Sequence, residues 1–210
     1  MSATQRPFAI ADESRSHSLG SSALRLTLDW RDDRWSHGLE LGRASIVRAI
    51  EPTVDDESNR FAFPVFQQAS LSAEDDFAND FLALLVGQHG RRHASASFLV
   101  DQIDAGRLVV AVDLALRGTE PFSLACTYLV EASSSELIEA DGSRIVWSPR
   151  GGEGRLILEA TSDDLSTTTL ALAEAGRRAT LVQAIARFDP RSLTQRSRYR
   201  WIWQPAHVYS

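Results

Sequence analysis

The chain has 210 residues, of which 43% are hydrophobic and 24% are charged, and its formal net charge is −6 at pH 7. A globular chain of this length and composition can bury a core without disulfides or metal ions. The negative charge argues against broad affinity for nucleic acid or for anionic membranes.

Two features of the composition exclude whole classes of chemistry. All 22 basic residues are arginine, so no lysine can form a Schiff base, hold pyridoxal phosphate or serve a phosphate-binding loop. The single cysteine, Cys126, rules out an intrachain disulfide and a multi-cysteine zinc or iron–sulfur site, and its apolar surroundings predict a buried, unreactive thiol. We therefore predict neither a cofactor nor a metal ion.

The domain organisation is simple in this sequence. Residues 1–22 are polar and predict a flexible N-terminal arm, and residues 23–210 predict a single β-rich domain. No apolar run has the length of a signal-peptide core near the start or of a membrane span anywhere, so a cytoplasmic location is the default expectation.

The first half of that domain begins with strands. Leu24, Leu26, Leu28 and Trp30 alternate with polar residues, which is the period of a half-buried strand. A turn at 31–33, a partner strand at 34–41 and a third strand at 44–50 follow. Residues 51–60 are polar and predict a loop, and Pro64 favours an edge or extended segment over 61–67.

One helix is predicted, over residues 73–86. Ser72 suits an N-cap, and the acidic residues at 74–76 suit a first helical turn. Four apolar residues recur at helical spacing, and Gly87 could end the helix. Those four are Phe77, Phe81, Leu84 and Leu85.

The second half indicates a run of antiparallel strands separated by short turns. The pattern of residues 166–188 is compatible either with two strands or with a helix. The triplet Thr167-Thr168-Thr169 favours a strand at the start of this segment. The fold class predicted is mainly β, an antiparallel β-sandwich or barrel with one α-helix near 73–86.

The first candidate site is the stretch 87–93, predicted as a loop. His89 and His93 could bind a metal ion or move protons, and Arg91 and Arg92 could bind an anion. A metal site would need a third ligand and a helical frame, which the glycines oppose. The alternative, which we favour, is a turn with solvated charges.

The second candidate site is the last strand, where arginines alternate with aromatic residues. Strand geometry puts Trp201 and Trp203 on one face and Arg198 and Arg200 on the other. We favour a buried aromatic face and a solvated arginine face, on which acidic residues of a neighbouring strand could pair with the arginines. If the two tryptophans instead line a cavity, they could stack on a sugar or a lipid.

Three functions are compatible with these patterns. The preferred one is a non-catalytic β-sandwich binding or interaction module for a small anionic or sugar-like ligand, since no catalytic motif is present. The second is an enzyme of the sugar isomerase or hydrolase type that uses His89 and His93 with Arg91 or Arg92. The third is a structural protein that self-associates through its edge strands into a homo-oligomer. No nucleic-acid or membrane partner is predicted.

Overall fold

The computed structural model describes residues 8–12, 15–21, 23–42, 44–50, 61–73, 81–102, 107–118, 122–131, 135–150, 154–162, 167–173 and 179–206. These residues are almost entirely in β-strands. The strands, in chain order, are β1 (Phe8–Asp12), β2 (Ser16–Gly20), β3 (Leu24–Arg31), β4 (Arg34–Leu41), β5 (Ala44–Ile50), β6 (Phe61–Ala62), β7 (Gln68–Ala73), β8 (Phe81–His89), β9 (Arg92–Gln102), β10 (Leu108–Arg117), β11 (Ser123–Glu131), β12 (Ser135–Ala140), β13 (Arg144–Pro149), β14 (Gly154–Ala160), β15 (Thr168–Ala173), β16 (Ala179–Ala186) and β17 (Thr194–Pro205).

The strands form two sheets. Sheet 1 runs β1-β2-β3-β4-β5-β11-β16-β15, and the short β6 also pairs with β11. Sheet 2 runs β12-β13-β14-β17-β10-β9-β8-β7. Every pairing is antiparallel except that of β6 with β11. The predicted antiparallel β-sandwich is confirmed, and because both sheets end in edge strands it is not a closed barrel.

The core lies between the two sheets and follows the alternation of the strands. In β3, Leu24, Leu26 and Leu28 are buried as predicted, while the residues between them are partly exposed. The central strands of sheet 2 contribute their alternate residues to the same cluster from the other side. Residues of both sheets therefore share one hydrophobic core.

The predicted helix over 73–86 is wrong where the structure describes it. Residues 81–86 belong to β8, which is hydrogen-bonded to β7 on one side and to β9 on the other. Ala83 and Leu85 are buried while Leu84 and Val86 are exposed, which is period two and not a helical stripe. Ser72, the predicted N-cap, belongs to β7 and pairs with Leu82. Residues 74–80, where the first helical turn was predicted, lie outside the described residues.

The predicted N-terminal arm also differs from the structure over its described part. Residues 8–12 and 16–20 form β1 and β2, which extend sheet 1 beyond β3. The side chain of Leu19 is fully buried in the core. Apolar burial of this kind fixes a segment that composition alone would leave mobile.

Of the two alternatives for residues 166–188, two strands or a helix, the structure shows strands. Residues 168–173 and 179–186 form β15 and β16, which pair with each other from Thr168 opposite Ala186 to Ala173 opposite Leu181. None of the described residues forms a helix long and apolar enough to cross a membrane.

Antiparallel pairing brings several chain turns to one end of the sandwich. The β3–β4 turn at 31–34, the β8–β9 turn at 89–92, and the link from β16 to β17 at 187–193 all lie there. The end of β5 and the start of β11 lie at the same end. We call this the hairpin end, and it carries the candidate site.

Candidate functional site

A cleft of about 630 Å³ opens in sheet 1 at the hairpin end. Its lining includes Ile50, the last residue of β5, and Thr127, with which Ile50 pairs on β11. The chain at 63–66 lines another side, and the backbone N–H of Trp35 donates to the carbonyl of Phe66 at 2.7 Å. The cleft is thus bounded by β4, β11 and this extended segment.

The rim of the cleft carries two arginines in direct cross-strand register. Arg31 and Arg34 face each other across the β3–β4 turn, an arrangement of like charges that is unfavourable unless anions compensate it. Arg34 donates to Asp33 at 2.6 Å through Nε and at 3.2 Å through Nη2, and this bonding lowers the pKa of the Asp33 carboxyl. Among the described residues, no carboxylate is hydrogen-bonded to Arg31.

An aromatic wall stands beside these arginines. Trp35 lines the cleft, and the ring of His17 stacks on it with centroids 5.0 Å apart. Trp30 meets the same indole edge-on at 5.5 Å, and the guanidinium of Arg15 lies over Trp30 at 5.2 Å. These contacts hold the indole in place, and a fixed aromatic face at an open cleft suits stacking on a ligand ring.

The floor of the cleft includes His37, which begins a buried hydrogen-bonded chain of neutral groups that leads into the core. His37 Nε2 lies 2.9 Å from the hydroxyl of Tyr128, which lies 2.5 Å from the hydroxyl of Tyr199. Burial lowers the pKa of His37 to about 4, and it raises the pKa of both tyrosines well above their ordinary value. At neutral pH all three groups are uncharged, so they offer hydrogen bonds and not ready proton transfer.

Cys126 lies at the same floor, with its Sγ 3.9 Å from His37 Nε2. The side chain is buried, as predicted, and burial raises the pKa of the thiol. A thiol that keeps its proton is a weak nucleophile, so the structure gives no support for cysteine chemistry here.

The stretch 87–93 is not the loop that we expected. β8 continues to His89 and β9 begins at Arg92, so only Gly90 and Arg91 form the turn, with Gly90 at φ 58°. His89 is paired with Arg92, and Gln88 with His93. Because neighbouring residues of a strand point to opposite faces, His89 and His93 lie on opposite faces of sheet 2 and do not converge.

The four candidate residues of this hairpin have separate surroundings. His89 is exposed and is not among the residues that line the cleft. Arg92 lies over the ring of Phe122 at 5.3 Å. Arg91 and His93 are exposed. No group of three or more His, Cys, Asp or Glu side chains suited to a metal ion occurs within the described residues.

Trp201 and Trp203 lie in the core, where they are 1% and 5% exposed. Neither indole is open to a ligand in this arrangement. The arginines on the other face of β17 form the ion pairs that strand register indicated: Arg198 binds Asp113 at 2.9 Å, and Arg200 binds Glu159.

No family model matches the sequence, and no curated protein matches it either. Solved structures, in contrast, do resemble it. They include heparan sulfate lyase HepC from Pedobacter heparinus, with a TM-score of 0.63 and 10% identity for a mutant form and 0.60 and 9% for another crystal structure of the lyase. A heparinase III with methylated lysines has a TM-score of 0.58 and 8% identity.

The likeness is one of fold. The alignments cover 94% of this chain but only 35–36% of the other chains, so this chain spans about a third of the length of the proteins that it resembles. At 8–10% identity the resemblance establishes the sandwich topology and transfers no residue roles.

The residues that line this cleft differ from the site residues predicted from the sequence. Arg31, Arg34 and Trp35 occur together as Arg-Asp-Asp-Arg-Trp at a turn that was predicted, so a cationic and aromatic hairpin tip could have been proposed. His37 carried no such signal, because its partner Tyr128 comes from a strand distant in sequence.

Proposed function

We propose that this chain is a β-sandwich module that binds an acidic sugar chain in the cleft at the hairpin end. The observation that carries the proposal is that the lining of one cleft combines a braced indole (Trp35) with two arginines in cross-strand register (Arg31 and Arg34).

This combination matches the chemistry of an acidic sugar. The C–H face of a sugar ring packs on an indole, and guanidinium groups bind carboxylate or sulfate oxygens through paired N–H donors. Asp32 and Asp33 lie on the same rim and can accept hydrogen bonds from sugar hydroxyl groups. A concave site in which apolar and aromatic side chains meet a set of polar groups is the usual form of such a site.

The solved structures support the choice of ligand class. They are structures of a heparan sulfate lyase and of a heparinase, and this chain resembles about a third of the length of each in fold. Because two thirds of those proteins have no counterpart here, the proposal concerns saccharide binding and not the lyase reaction.

Two observations favour binding over catalysis by this chain. The groups at the cleft floor stay neutral, since burial lowers the pKa of His37 to about 4 and raises that of Tyr128. The pair of histidines that an isomerase or hydrolase site would use, His89 and His93, point to opposite faces of sheet 2.

Calorimetric titration with a heparan sulfate hexasaccharide, and with the neutral hexasaccharide cellohexaose, tests the proposal. We expect binding of the acidic sugar, and a loss of about tenfold or more in affinity for Trp35→Ala. Arg155→Gln is the matched control, because Arg155 is an exposed arginine of β14 outside the cleft. No binding of the acidic sugar, or equal losses in both variants, would refute the proposal.

A further inference from the structure

A row of three side chains on the outer face of sheet 1 begins in the cleft. Thr127 of β11 is paired with Ile50 of β5 on one side and with Gln183 of β16 on the other. Residues directly opposite each other in a sheet share a face, so the three side chains lie side by side. The neighbours of Thr127 along β11, Cys126 and Tyr128, belong to the core, so the row faces away from it. Ile50 and Thr127 line the cleft, and Gln183 lies next to it.

The polar part of this row keeps one donor and one acceptor free. The amide Nε2 of Gln183 donates to the Thr127 hydroxyl oxygen at 3.2 Å, which holds the two groups side by side. Within the described residues, the Thr127 hydroxyl donates to no other group and the Gln183 carboxamide oxygen accepts from none. Thr127 is only 3% exposed, and a buried donor without an acceptor costs free energy. The pair is therefore suited to a ligand group that both accepts and donates.

The arginines of the cleft lie within reach of the same ligand. Arg34 and Ser36 are two residues apart on β4, so they point to the same face, and both line the cleft. The hydroxyl of Ser36 lies 3.5 Å from the carbonyl oxygen of Ala49 on β5, and β11, which carries Thr127, is the next strand. Two strand spacings, about 10 Å, and two residues along a strand, about 7 Å, therefore separate Arg34 from Thr127. Adjacent sugars of one chain can cover this distance.

We propose that Thr127 and Gln183 bind the hydroxyl groups of an unsulfated sugar ring, next to the acidic sugar that the arginines hold. This inference rests on the proposed function. A sugar hydroxyl both donates and accepts, so it satisfies the Thr127 hydroxyl and the Gln183 oxygen. Ile50 supplies apolar contact to the C–H groups of the same ring.

The same pair discriminates against O-sulfated sugars. A sulfate ester has no hydrogen to donate, so it leaves the Gln183 carboxamide oxygen without a partner and places negative charge against it. The pair thus selects acidic chains whose sugars keep free hydroxyl groups over fully O-sulfated chains.

The test compares two hexasaccharides that differ only in O-sulfation: the unsulfated backbone of heparan sulfate, and the same hexasaccharide after full chemical O-sulfation. Each is titrated calorimetrically into the full chain. The variants are Thr127→Val, which keeps the shape of the side chain and removes the hydroxyl, and Gln183→Ala. The matched controls are Thr27→Val on β3 and Gln204→Ala on β17, both outside the cleft. Melting temperatures establish that each variant is folded, and Gln183→Ala, at a half-buried position, decides the test if Thr127→Val does not fold.

We expect both variants to bind the unsulfated hexasaccharide about three- to tenfold more weakly than the parent, and the O-sulfated one with unchanged affinity. Both controls should bind both sugars as the parent does. If the loss is as large for the O-sulfated sugar, if neither sugar is bound more weakly, or if the parent binds only the O-sulfated sugar, selection by this pair is refuted while the cleft proposal stands. If the parent binds neither hexasaccharide, both proposals are refuted.

Discussion

At the scale of single residues, the cationic rim of the cleft decides which ligand fits. Arg31 and Arg34 face each other, and only Arg34 has a carboxylate hydrogen-bonded to it in the described structure. The side chain of Arg31 is thus the rim group with the strongest reason to bind an anion, because a bound carboxylate or sulfate would relieve the repulsion across the turn.

If Arg31 binds an anionic group of the ligand, Arg31→Gln should weaken saccharide binding. The variant should bind an acidic hexasaccharide about five- to tenfold more weakly than the parent, since charge-assisted hydrogen bonds contribute roughly 1–3 kcal/mol. The affinity should also depend less on salt concentration. Calorimetry at two salt concentrations measures both, with Arg155→Gln as the control. An unchanged salt dependence would show that Arg31 does not contact the anion.

The buried histidine makes a prediction about stability and pH. Burial lowers the pKa of His37 from 6.5 to about 4, so the unfolded chain takes up a proton at a pH where the folded chain does not. The free energy of unfolding should therefore fall as the pH drops from about 6.5 to about 4, by about 3 kcal/mol from this group. Above pH 7.5 the contribution is constant.

Urea denaturation between pH 8 and pH 5 measures this effect above the range in which carboxylates titrate. His37→Gln should flatten the slope, whereas the exposed His93→Gln should keep it. If His37→Gln loses stability with the same slope as the parent, burial of His37 is not the cause.

At this scale, the environments of single residues could be predicted mainly where residues alternate along a strand. The buried positions of Trp201 and Trp203, and the position of Arg198 and Arg200 on the other face, followed from period two. The ion pairs of the two arginines depend on which strands lie beside β17. The hydrogen bond between His37 and Tyr128 could not be predicted, because it joins strands that are distant in the chain and become neighbours only through the fold.

At the scale of elements, one wall of the cleft depends on the segment at 63–67. This segment is held against β8 through bonds from Gln67 N to the Val86 carbonyl at 3.0 Å and from Gln88 N to Gln67 Oε1 at 2.7 Å. The cleft wall therefore depends on β8.

Gly87 makes that close approach feasible. A Cβ at this position would lie 2.0 Å from the carbonyl oxygen of Val65 and 2.8 Å from the Cα of Phe66. Gly87→Ala must displace the 63–67 segment, so we expect a loss of about 1–3 kcal/mol in stability and weaker saccharide binding. Denaturation and calorimetry measure the two effects.

Gly90→Ala is the matched control in the same hairpin. Gly90 has φ 58° and open space around its Cα, so its substitution costs only the left-handed backbone conformation, about 1–2 kcal/mol. It should leave saccharide affinity unchanged. If Gly87→Ala binds saccharide as well as Gly90→Ala does, the 63–67 segment is not part of the binding wall.

Elements were predictable from the sequence where the local pattern was unambiguous. The hairpin of β3 and β4 was found because its alternation is regular and its turn is polar. β8 was mistaken for a helix because the spacing of Phe81, Leu84 and Leu85 suits a helix as well as a strand. Residues 81–89 form a strand because β7 and β9 are hydrogen-bonded to them on either side, and this tertiary context cannot be seen in the local sequence.

At the scale of the whole molecule, the two sheets share one core and should unfold together. The core cluster contains residues from both, such as Leu26 of sheet 1 and Trp201 of sheet 2. Urea unfolding followed by tryptophan fluorescence and by far-ultraviolet circular dichroism should give coincident transitions. Two separated transitions would mean that one sheet is stable without the other.

The distribution of the five tryptophans allows the central claim to be tested in a single titration. Trp35 lines the cleft, whereas Trp147 and Trp201 are buried between the sheets. The measurement is the NMR spectrum of the indole N–H groups while a heparan sulfate hexasaccharide is added. We predict that the Trp35 signal shifts with saturation while the Trp147 and Trp201 signals stay in place. Saturable binding that leaves the Trp35 signal unmoved, or no shift of any indole at saturating sugar, would contradict the cleft as the saccharide site.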